Sequence, residues 1–371
     1  RRVLFRSTFT REQLLDKINL LGASISLKVI NGFLHITLKT RRENCAKLLT
    51  LVEEMITKPS FSTKELSRIK VVATNELLQA KEDSRSIAHA ELTNQLYTSK
   101  DRRYQYSCDT LINEVAQLKR RDLKEIHQST LAKPWTISVA GTEGEVKRVQ
   151  NMIERILADT EIVVVSAHKQ KPAKRSLKLK DIPSRSNIDF SIGAPIPITL
   201  QHEDYLPLKL GLNVLGKWGG FSGRLMSTVR EKEGLTYGIY CNLETVSRDE
   251  AGYWRIMTFF SPDKAVQGIT STFREVTKLY NNGVRQDELE RFKIIMQTQQ
   301  NLVRDSISSL LVDLHSYHVQ GFSIEEMKQY KARISSLTQK EVNDAIKTHL
   351  DPQTLLVSGA GPTRAVHKEL K

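Results

Sequence analysis

An internal repeat places the strongest limit on the fold of this 371-residue chain. The segment Ser62–Lys70, STKELSRIK, aligns with Arg285–Lys293, RQDELERFK, at an offset of 223 residues. Further along, Leu118–Gly141 aligns with Leu337–Gly359, and their final glycines are 218 residues apart. Two long modules with the same order of elements are therefore predicted.

Each module is expected to be of the α+β class, with an antiparallel or mixed sheet and helices packed on one face. The first module spans residues 1–160, a basic proline-containing linker spans 161–183, and the second module spans 184–371. In the first module, Asn31-Gly32 between two alternating segments predicts a β-hairpin. Trp135–Ala140 is predicted to form a further strand.

The chain is strongly basic, with a net charge of +14 and a sequence pI of about 9.6. Six positive charges lie in the segment Lys169–Lys180, KQKPAKRSLKLK, which contains a proline and no aromatic residue. Nucleic-acid-binding proteins cluster basic residues on one face, often with interleaved aromatics, so this segment is interpreted as a solvated linker. No nucleic-acid partner is expected, whereas acidic substrates or partners are compatible with the charge.

Two further classes of protein are excluded by composition. No apolar run approaches the length of about 18 residues that a membrane span requires, so no membrane span is expected. The three cysteines, Cys45, Cys108 and Cys241, are far apart in the sequence. Their spacing indicates neither a disulfide framework nor a thiolate zinc site.

The segment Gly219–Tyr240, GGFSGRLMSTVREKEGLTYGIY, has the pattern of a glycine break, a short helix, a second glycine break and a strand. Ser222 is a suitable N-cap for the helix. Apolar residues at helical spacing would give the helix one buried side. These residues are Leu225, Met226 and Val229.

Arg230 and Tyr237 are expected to meet at the corner between this helix and strand. Arg230 lies late in the helix, where a cation suits the negative end of the dipole. Gly234 ends the helix, and Thr236–Tyr240 alternates with a period of two, which puts Tyr237 and Ile239 on one face of a strand. The two side chains would form a small polar clamp; the alternative is a surface charge beside ordinary strand packing.

The string GGFSGRL…VREKEGLTYG resembles the C-terminal domain of the insulinase/pitrilysin-type metallopeptidases, zinc enzymes with an inverted HxxEH motif. The resemblance covers nearly the whole chain and implies tandem modules like those of mitochondrial-processing-peptidase-type proteins. In that family an Arg and a Tyr reach from the non-zinc half and hold the substrate beside the metal. The matching positions are Arg230 and Tyr237, and the implied substrate is an unfolded peptide.

The zinc ligands of that family are mostly missing from this sequence. No HxxEH or HExxH motif occurs, and the closest histidines, His315 and His318, lack a third convergent ligand. The resemblance implies that Glu76, in SRIKVVATNELLQAKEDS, matches the family's third zinc ligand, whereas the repeat carries Gln299 at that place. The ordinary alternative is an exposed helix glutamate. No catalytic residue is visible.

The first module is predicted to lack residues at its start that the second module contains. Fifty residues run from Ser184 to the helix-ending Gly234, whereas 21 precede Gly22, so about 29 residues are expected to be missing where the family carries its zinc motif. The segment Arg1–Ser7 has two interpretations. It is either non-native, or its first two arginines replace the Glu and His of that motif. Guanidinium groups cannot bind zinc, and the chain would then be a degenerate, non-catalytic half.

The resemblance implies peptide hydrolysis by an assembly in which this chain is the non-zinc, substrate-clamping half or subunit. Zinc would be held by a missing N-terminal motif or by a second family half, either a separate chain (in a heterodimer or homodimer) or a fused one. Two alternatives stay open. The chain could be a self-sufficient zinc peptidase completed by Glu76, or a structural subunit like the family's respiratory-complex core proteins. The presence of both Arg230 and Tyr237 argues against a pure scaffold.

Overall fold

The computed structural model describes residues 9–30, 33–157, 174–216, 223–303 and 305–370. These residues form two compact units. The first unit contains residues 9–78, 107–157 and 307–315, and the second contains residues 79–106, 316–370 and the described part of 174–306. Helices and strands are mixed in both units, so the predicted α+β class is confirmed.

The described residues contain α-helices and strands in mixed order along the chain. The helices are α1 (Arg11–Leu20), α2 (Cys45–Thr57), α3 (Thr63–Ala80), α4 (Ser84–Leu96), α5 (Cys108–Gln117), α6 (Arg120–Leu131), α7 (Glu143–Leu157), α8 (Tyr205–Gly216), α9 (Ala265–Asn282), α10 (Gln286–Val303), α11 (Ile307–Val319), α12 (Ile324–Ser336) and α13 (Gln339–His349). The strands are β1 (Ser24–Ile30), β2 (Phe33–Lys39), β3 (Ser176–Asp181), β4 (Ile188–Pro195), β5 (Ile239–Glu244), β6 (Tyr253–Phe260) and β7 (Leu356–Gly361). Within the described ranges, none of these helices combines the length and the apolar character that a bilayer crossing needs.

The first unit contains the antiparallel hairpin of β1 and β2. Its register runs from Ser24 opposite Lys39 to Ile30 opposite Phe33. The predicted hairpin is therefore confirmed, although its turn, Asn31-Gly32, lies outside the described residues. Apolar side chains of the hairpin pack against a core between α2 and α7. The buried members of that core are Leu48, Leu49, Val52, Ile56, Met152 and Ile156.

The predicted strand Trp135–Ala140 is wrong, because these residues are not part of any ladder among the described strands. Trp135 instead packs against the core of the first unit, and its Nε1 donates to Leu131 O at 3.1 Å. An alternating sequence forms a strand only where a neighbouring strand supplies hydrogen-bond partners. The counterpart of this segment in the repeat, at β7, has such neighbours on both sides.

The second unit is organised around a five-stranded mixed sheet with the order β3-β7-β4-β6-β5. β3 is parallel to β7, whereas β4 pairs antiparallel with both β6 and β7, and β5 antiparallel with β6. Alternate residues of β4 face a core shared with α8 and α13, among them Ile188, Phe190 and Ile192. On the other face, Ser84 Oγ of α4 donates to Asp189 Oδ2 at 2.5 Å.

Close packing at the centre of this sheet depends on one glycine. A Cβ at Gly193 would lie 2.2 Å from Trp254 O, far inside van der Waals contact. The glycine therefore lets β4 approach β6 closely. The Ile192 and Trp254 side chains are fully buried there, and burying a side chain of this kind stabilises a fold by about 1.5–3 kcal/mol. The central strands of this sheet are therefore closely packed.

The interpretation of Lys169–Lys180 as a solvated linker is wrong for its last residues. Residues 176–181 form β3, which pairs with β7 in register from Ser176 opposite Leu356 to Asp181 opposite Gly361. Residues 158–173 lie outside the described part of the chain. The pairing partner of β3 is 180 residues away in sequence, so no local sequence pattern predicts this pairing. The tandem duplication and the module boundaries stay predictions.

Candidate functional site

The helix that carries Arg230 has π geometry rather than the α geometry expected from its sequence. Residues Met226–Lys232 form a π-helix, in which backbone hydrogen bonds run over five residues instead of four. The predicted N-cap, Ser222, lies outside the described residues. The predicted apolar side is present, since Leu225, Met226 and Val229 are fully buried. Arg230 is half-buried on the same short helix.

Gly234 turns the chain sharply after this helix, as its sequence position predicts. Its φ of +61° lies in the left-handed region that favours glycine, whereas a Cβ there would meet nothing within 4 Å. Gly234 N donates to Arg230 O, and Leu235 N donates to Val229 O, both at 3.0 Å. Lys264, the residue before α9, donates through Nζ to Gly234 O at 3.0 Å. Hydrogen bonds to the preceding helix and from Lys264 therefore hold this turn in place.

The prediction that Tyr237 lies on a strand is wrong, because β5 begins only at Ile239. Residues Thr236–Gly238 form a turn, in which Gly238 N donates to Thr236 Oγ1 at 3.3 Å. The buried Thr258 of β6 donates through Oγ1 to Gly238 O at 3.1 Å. The Thr258 side chain therefore binds the Gly238 carbonyl, which in a regular strand would accept a hydrogen bond from the backbone of a neighbouring strand. Tyr237 lies at the apex of this turn.

Arg230 and Tyr237 are brought together at this corner, as predicted. The guanidinium carbon of Arg230 lies 5.0 Å from the centroid of the Tyr237 ring, which is within the range of a cation–π contact. Tyr237 is 76% exposed. Its hydroxyl and the guanidinium N–H groups are hydrogen-bond donors. The corner (Arg230–Gly238) can therefore present donors to an oxygen atom of a ligand in solvent.

Glu233 fastens the corner to α9. Its carboxylate accepts from Ser271 Oγ at 2.5 Å and forms an ion pair with Arg274. Burial alone would raise the pKa of Glu233, but the hydrogen bonds from Ser271 and Arg274 hold that pKa below its ordinary value. The carboxylate is therefore charged at neutral pH. Sequence reasoning missed Glu233, Thr258 and Lys264, because their partners are distant in sequence.

Glu76 lies on the exposed face of α3. Among the residues that the structure describes, no group of three or more His, Cys, Asp or Glu side chains could hold a metal ion. His315 contacts Ser138 Oγ through Nδ1 at 2.9 Å, and its ring packs edge-on against His35. The described residues therefore do not fit a zinc site, and the assignment of Glu76 as a ligand stays a prediction.

This chain is similar to known proteins in both sequence and structure. Residues 117–296 match the family described as the Peptidase M16 inactive domain. A curated relative from Helicobacter pylori (strain ATCC 700392 / 26695), the non-peptidase homolog YmxG, is 24% identical over 334 residues. That alignment covers 88% of this chain and 75% of the relative.

Two solved structures show the same fold. The peptidase M16 inactive domain from Pseudomonas fluorescens aligns with a TM-score of 0.84 and 20% identity, over 97% of this chain and 86% of that one. The ferredoxin protease FusC, in complex with Arabidopsis ferredoxin, aligns with a TM-score of 0.71 and 13% identity, over 96% of this chain and 38% of that one. The match to the Peptidase M16 inactive domain confirms the resemblance to the insulinase/pitrilysin-type peptidases that was read from the sequence. The matched domain and the relative's name favour a non-catalytic half over a self-sufficient zinc peptidase.

Proposed function

We propose that this chain is the substrate-clamping half or subunit of an M16-type peptidase assembly. In this proposal Arg230 and Tyr237 hold an unfolded peptide, while a second family half carries the zinc site. The second half is a separate chain or a fused one. The match to the family's inactive domain and the absence of HxxEH from the sequence support a role without catalysis of its own.

The observation that carries the proposal is the geometry of the corner. A tyrosine used for packing buries its ring, whereas the Tyr237 ring is 76% exposed and lies beside the Arg230 guanidinium. The backbone below it is held by Thr258, Lys264 and the glycine turn. Exposed donors on a fixed backbone are suited to binding, because little conformational entropy is lost when a ligand arrives.

The chemistry of the pair fits a peptide in extended conformation. A guanidinium offers several N–H donors in one plane and the phenol offers one O–H donor. Either can donate to a peptide carbonyl, or to the oxyanion that develops when that carbonyl is attacked. β5 begins two residues after Tyr237 and is the outermost described strand on that side of the sheet. A peptide added along β5 would pass the corner.

The first experiment uses this chain assembled with its zinc-bearing partner. We expect Arg230→Ala or Tyr237→Phe to lower peptide turnover about 100-fold, the loss typical of one donor to a developing oxyanion. The matched controls are Lys347→Ala and Tyr280→Phe, because that pair forms a similar cation–π contact elsewhere in the second unit, at 3.7 Å. Control variants should retain full turnover. Unchanged turnover in both corner variants would instead indicate a structural subunit.

A second measurement addresses the metal. Under this proposal, Glu76→Gln changes neither the zinc content of the full-length native chain nor the activity of the assembly. About one zinc per chain, lost on Glu76→Gln, would overturn the proposal. The chain would then be a zinc peptidase in its own right, with Glu76 as a ligand.

A further inference from the structure

The basic segment singled out in the sequence supplies the outermost strand of the second unit's sheet. Among the described strands, β3 pairs only with β7. The peptide groups along its other side therefore lack a described strand partner. An unpaired strand edge is a template on which a further strand can form backbone hydrogen bonds. This edge is distinct from β5, which lies at the opposite end of the strand order.

Both ends of β3 are anchored, so the edge is preformed. At its start, Ser176 Oγ donates to Gln95 Oε1 of α4, and Gln95 Nε2 donates to Ser358 Oγ of β7 at 2.8 Å. At its end, Asp181 Oδ1 accepts from Thr363 N at 3.1 Å. Binding an added strand to an ordered edge loses less entropy than ordering the edge at the same time.

The charge of this edge is positive. The exposed cationic side chains of residues 174–185 are Lys174, Arg175, Lys178, Lys180 and Arg185. Its acidic residue, Asp181, is already paired with Arg364 at 2.8 Å. The Lys178 and Lys180 ammonium groups form no ion pair with a residue in the described ranges. A row of cations of this kind attracts an acidic partner and suppresses basic ones.

The alternation of β3 defines the pattern that such a partner needs. Lys178 and Lys180 are exposed, whereas Leu177 and Leu179 are half-buried and pack against the core of the second unit. Side chains of an added strand lie beside those of β3 on the same face. Acidic residues would meet the two lysines, and apolar residues would meet the two leucines.

We propose that β3 binds an extended segment of a partner protein in which acidic and apolar residues alternate. The segment joins the sheet through backbone hydrogen bonds, and carboxylates of that segment pair with Lys178 and Lys180. Lysines on an edge strand also repel further copies of the same chain. Their presence here selects an acidic strand instead of a copy of this protein. The proposal is independent of the clamp at Arg230 and Tyr237.

The test is fluorescence anisotropy of the full chain with a labelled alternating Glu/Val peptide of about 12 residues, long enough to span the strand. We expect saturable binding that weakens with added salt. Lys178→Glu with Lys180→Glu should weaken it at least about tenfold, because like charges would face each other. The control double variant, Lys328→Glu with Lys340→Glu, makes the same charge change on α12 and α13 and should bind normally.

Two further probes separate strand addition from attraction between charges. The same peptide with every amide N-methylated keeps its charge but loses its backbone donors, and it should not bind. A single-stranded oligonucleotide of equal charge should bind more weakly than the unmodified peptide. Equal binding of the methylated peptide, tighter binding of the oligonucleotide, or no binding of the unmodified peptide would each overturn the proposal.

Discussion

The hairpin of the first unit and the five-stranded sheet of the second expose their apolar residues to very different extents. Near the hairpin tip, Val29 is 73% exposed and Phe33 is 53% exposed. In the larger sheet, Ile192 and Trp254 are fully buried. Both regions contain strand-forming sequences, but only the central strands of the larger sheet have strand neighbours on both sides and helices over them. The apolar residues of the larger sheet are therefore better supported by the surrounding structure than those near the hairpin tip.

The two predicted site positions differ in the same way. The Arg230–Gly238 corner is fastened by hydrogen bonds to β6 and to residues around α9. Glu76 lies on an exposed helix face, outside any described group of metal-binding side chains. A site on a supported backbone keeps its geometry without a ligand. A candidate ligand on an open surface needs other groups to converge on it, and the described residues supply none.

The largest expected difference comes from core truncation. Ile192→Ala should lower the free energy of unfolding by about 2–5 kcal/mol, because it removes buried methyl groups and leaves a cavity. Val29→Ala, at an exposed site, should change it by less than about 0.5 kcal/mol. Urea denaturation followed by circular dichroism measures both. A comparable loss in the two variants would show that the hairpin tip is covered in the native protein.

The second effect depends on pH and on a buried histidine. His89 Nε2 contacts the Tyr253 hydroxyl at 2.7 Å. Burial, assisted by the charge of Arg255, lowers the pKa of His89 to about 4. Between pH 6.5 and 4 the unfolded chain binds a proton that the folded chain does not, so stability falls as the pH falls. The loss contributed by this residue should total about 3 kcal/mol by pH 4.

The variant His89→Gln isolates this contribution, because glutamine does not titrate. The stability of wild type relative to this variant should decrease from pH 7 to pH 4 in urea titrations. His127 in the first unit is the comparison, since burial lowers its pKa while a hydrogen bond to Ile56 O opposes the change. A smaller pH effect is expected for His127→Gln. A difference between wild type and His89→Gln that is independent of pH would contradict the prediction.

Thr258→Val tests the support of the corner. The substitution keeps the shape of the side chain but removes the donor to Gly238 O. We expect a loss of about 1–3 kcal/mol in the free energy of unfolding, together with faster amide hydrogen exchange at Gly238. Thr258→Ser should restore slow exchange, because it restores the hydroxyl. If exchange at Gly238 stays slow in the valine variant, Thr258 does not hold this turn.

The smallest expected effect is the same in both units. Thr10 begins α1 and Thr338 begins α13, and each forms a capping box with the residue three positions later. Thr10→Ala and Thr338→Ala should each lower the free energy of unfolding by about 1 kcal/mol, because a cap acts within one helical turn. Clearly unequal losses in urea denaturation would show that the surrounding unit controls even this local interaction.

Local signals predicted a large part of the fold. The alternation of β1 and β2 and the turn at Gly234 each depend on residues within a few positions of one another. The motif GGFSGRL…VREKEGLTYG likewise lies within one short segment. It led to Arg230 and Tyr237, and the structure places the Arg230 guanidinium carbon 5.0 Å from the centroid of the Tyr237 ring. Their use as a clamp is proposed, and nothing local in the sequence decides it.

Features that depend on distant partners were not predicted. The π-helix is a local exception, because its hydrogen bonds span only five residues, but the sequence pattern fitted the more common α geometry. The turn that lifts Tyr237 out of β5 depends on Thr258, and β3 depends on a strand 180 residues away. Interactions of this kind stabilise a conformation only after the chain has folded back on itself.

By itself, the sequence of this protein determined its mixed class, its hairpin, its resemblance to the M16 inactive domain and the pair of residues at the corner. Periodicity, caps and glycines act over a few residues, which is why these features can be read directly. The tertiary structure alone decided that Tyr237 is exposed on a turn, that Lys178 and Lys180 line a strand edge, and that Glu76 is on an open surface. Each of these outcomes depends on which distant backbone groups and side chains become neighbours in the folded chain.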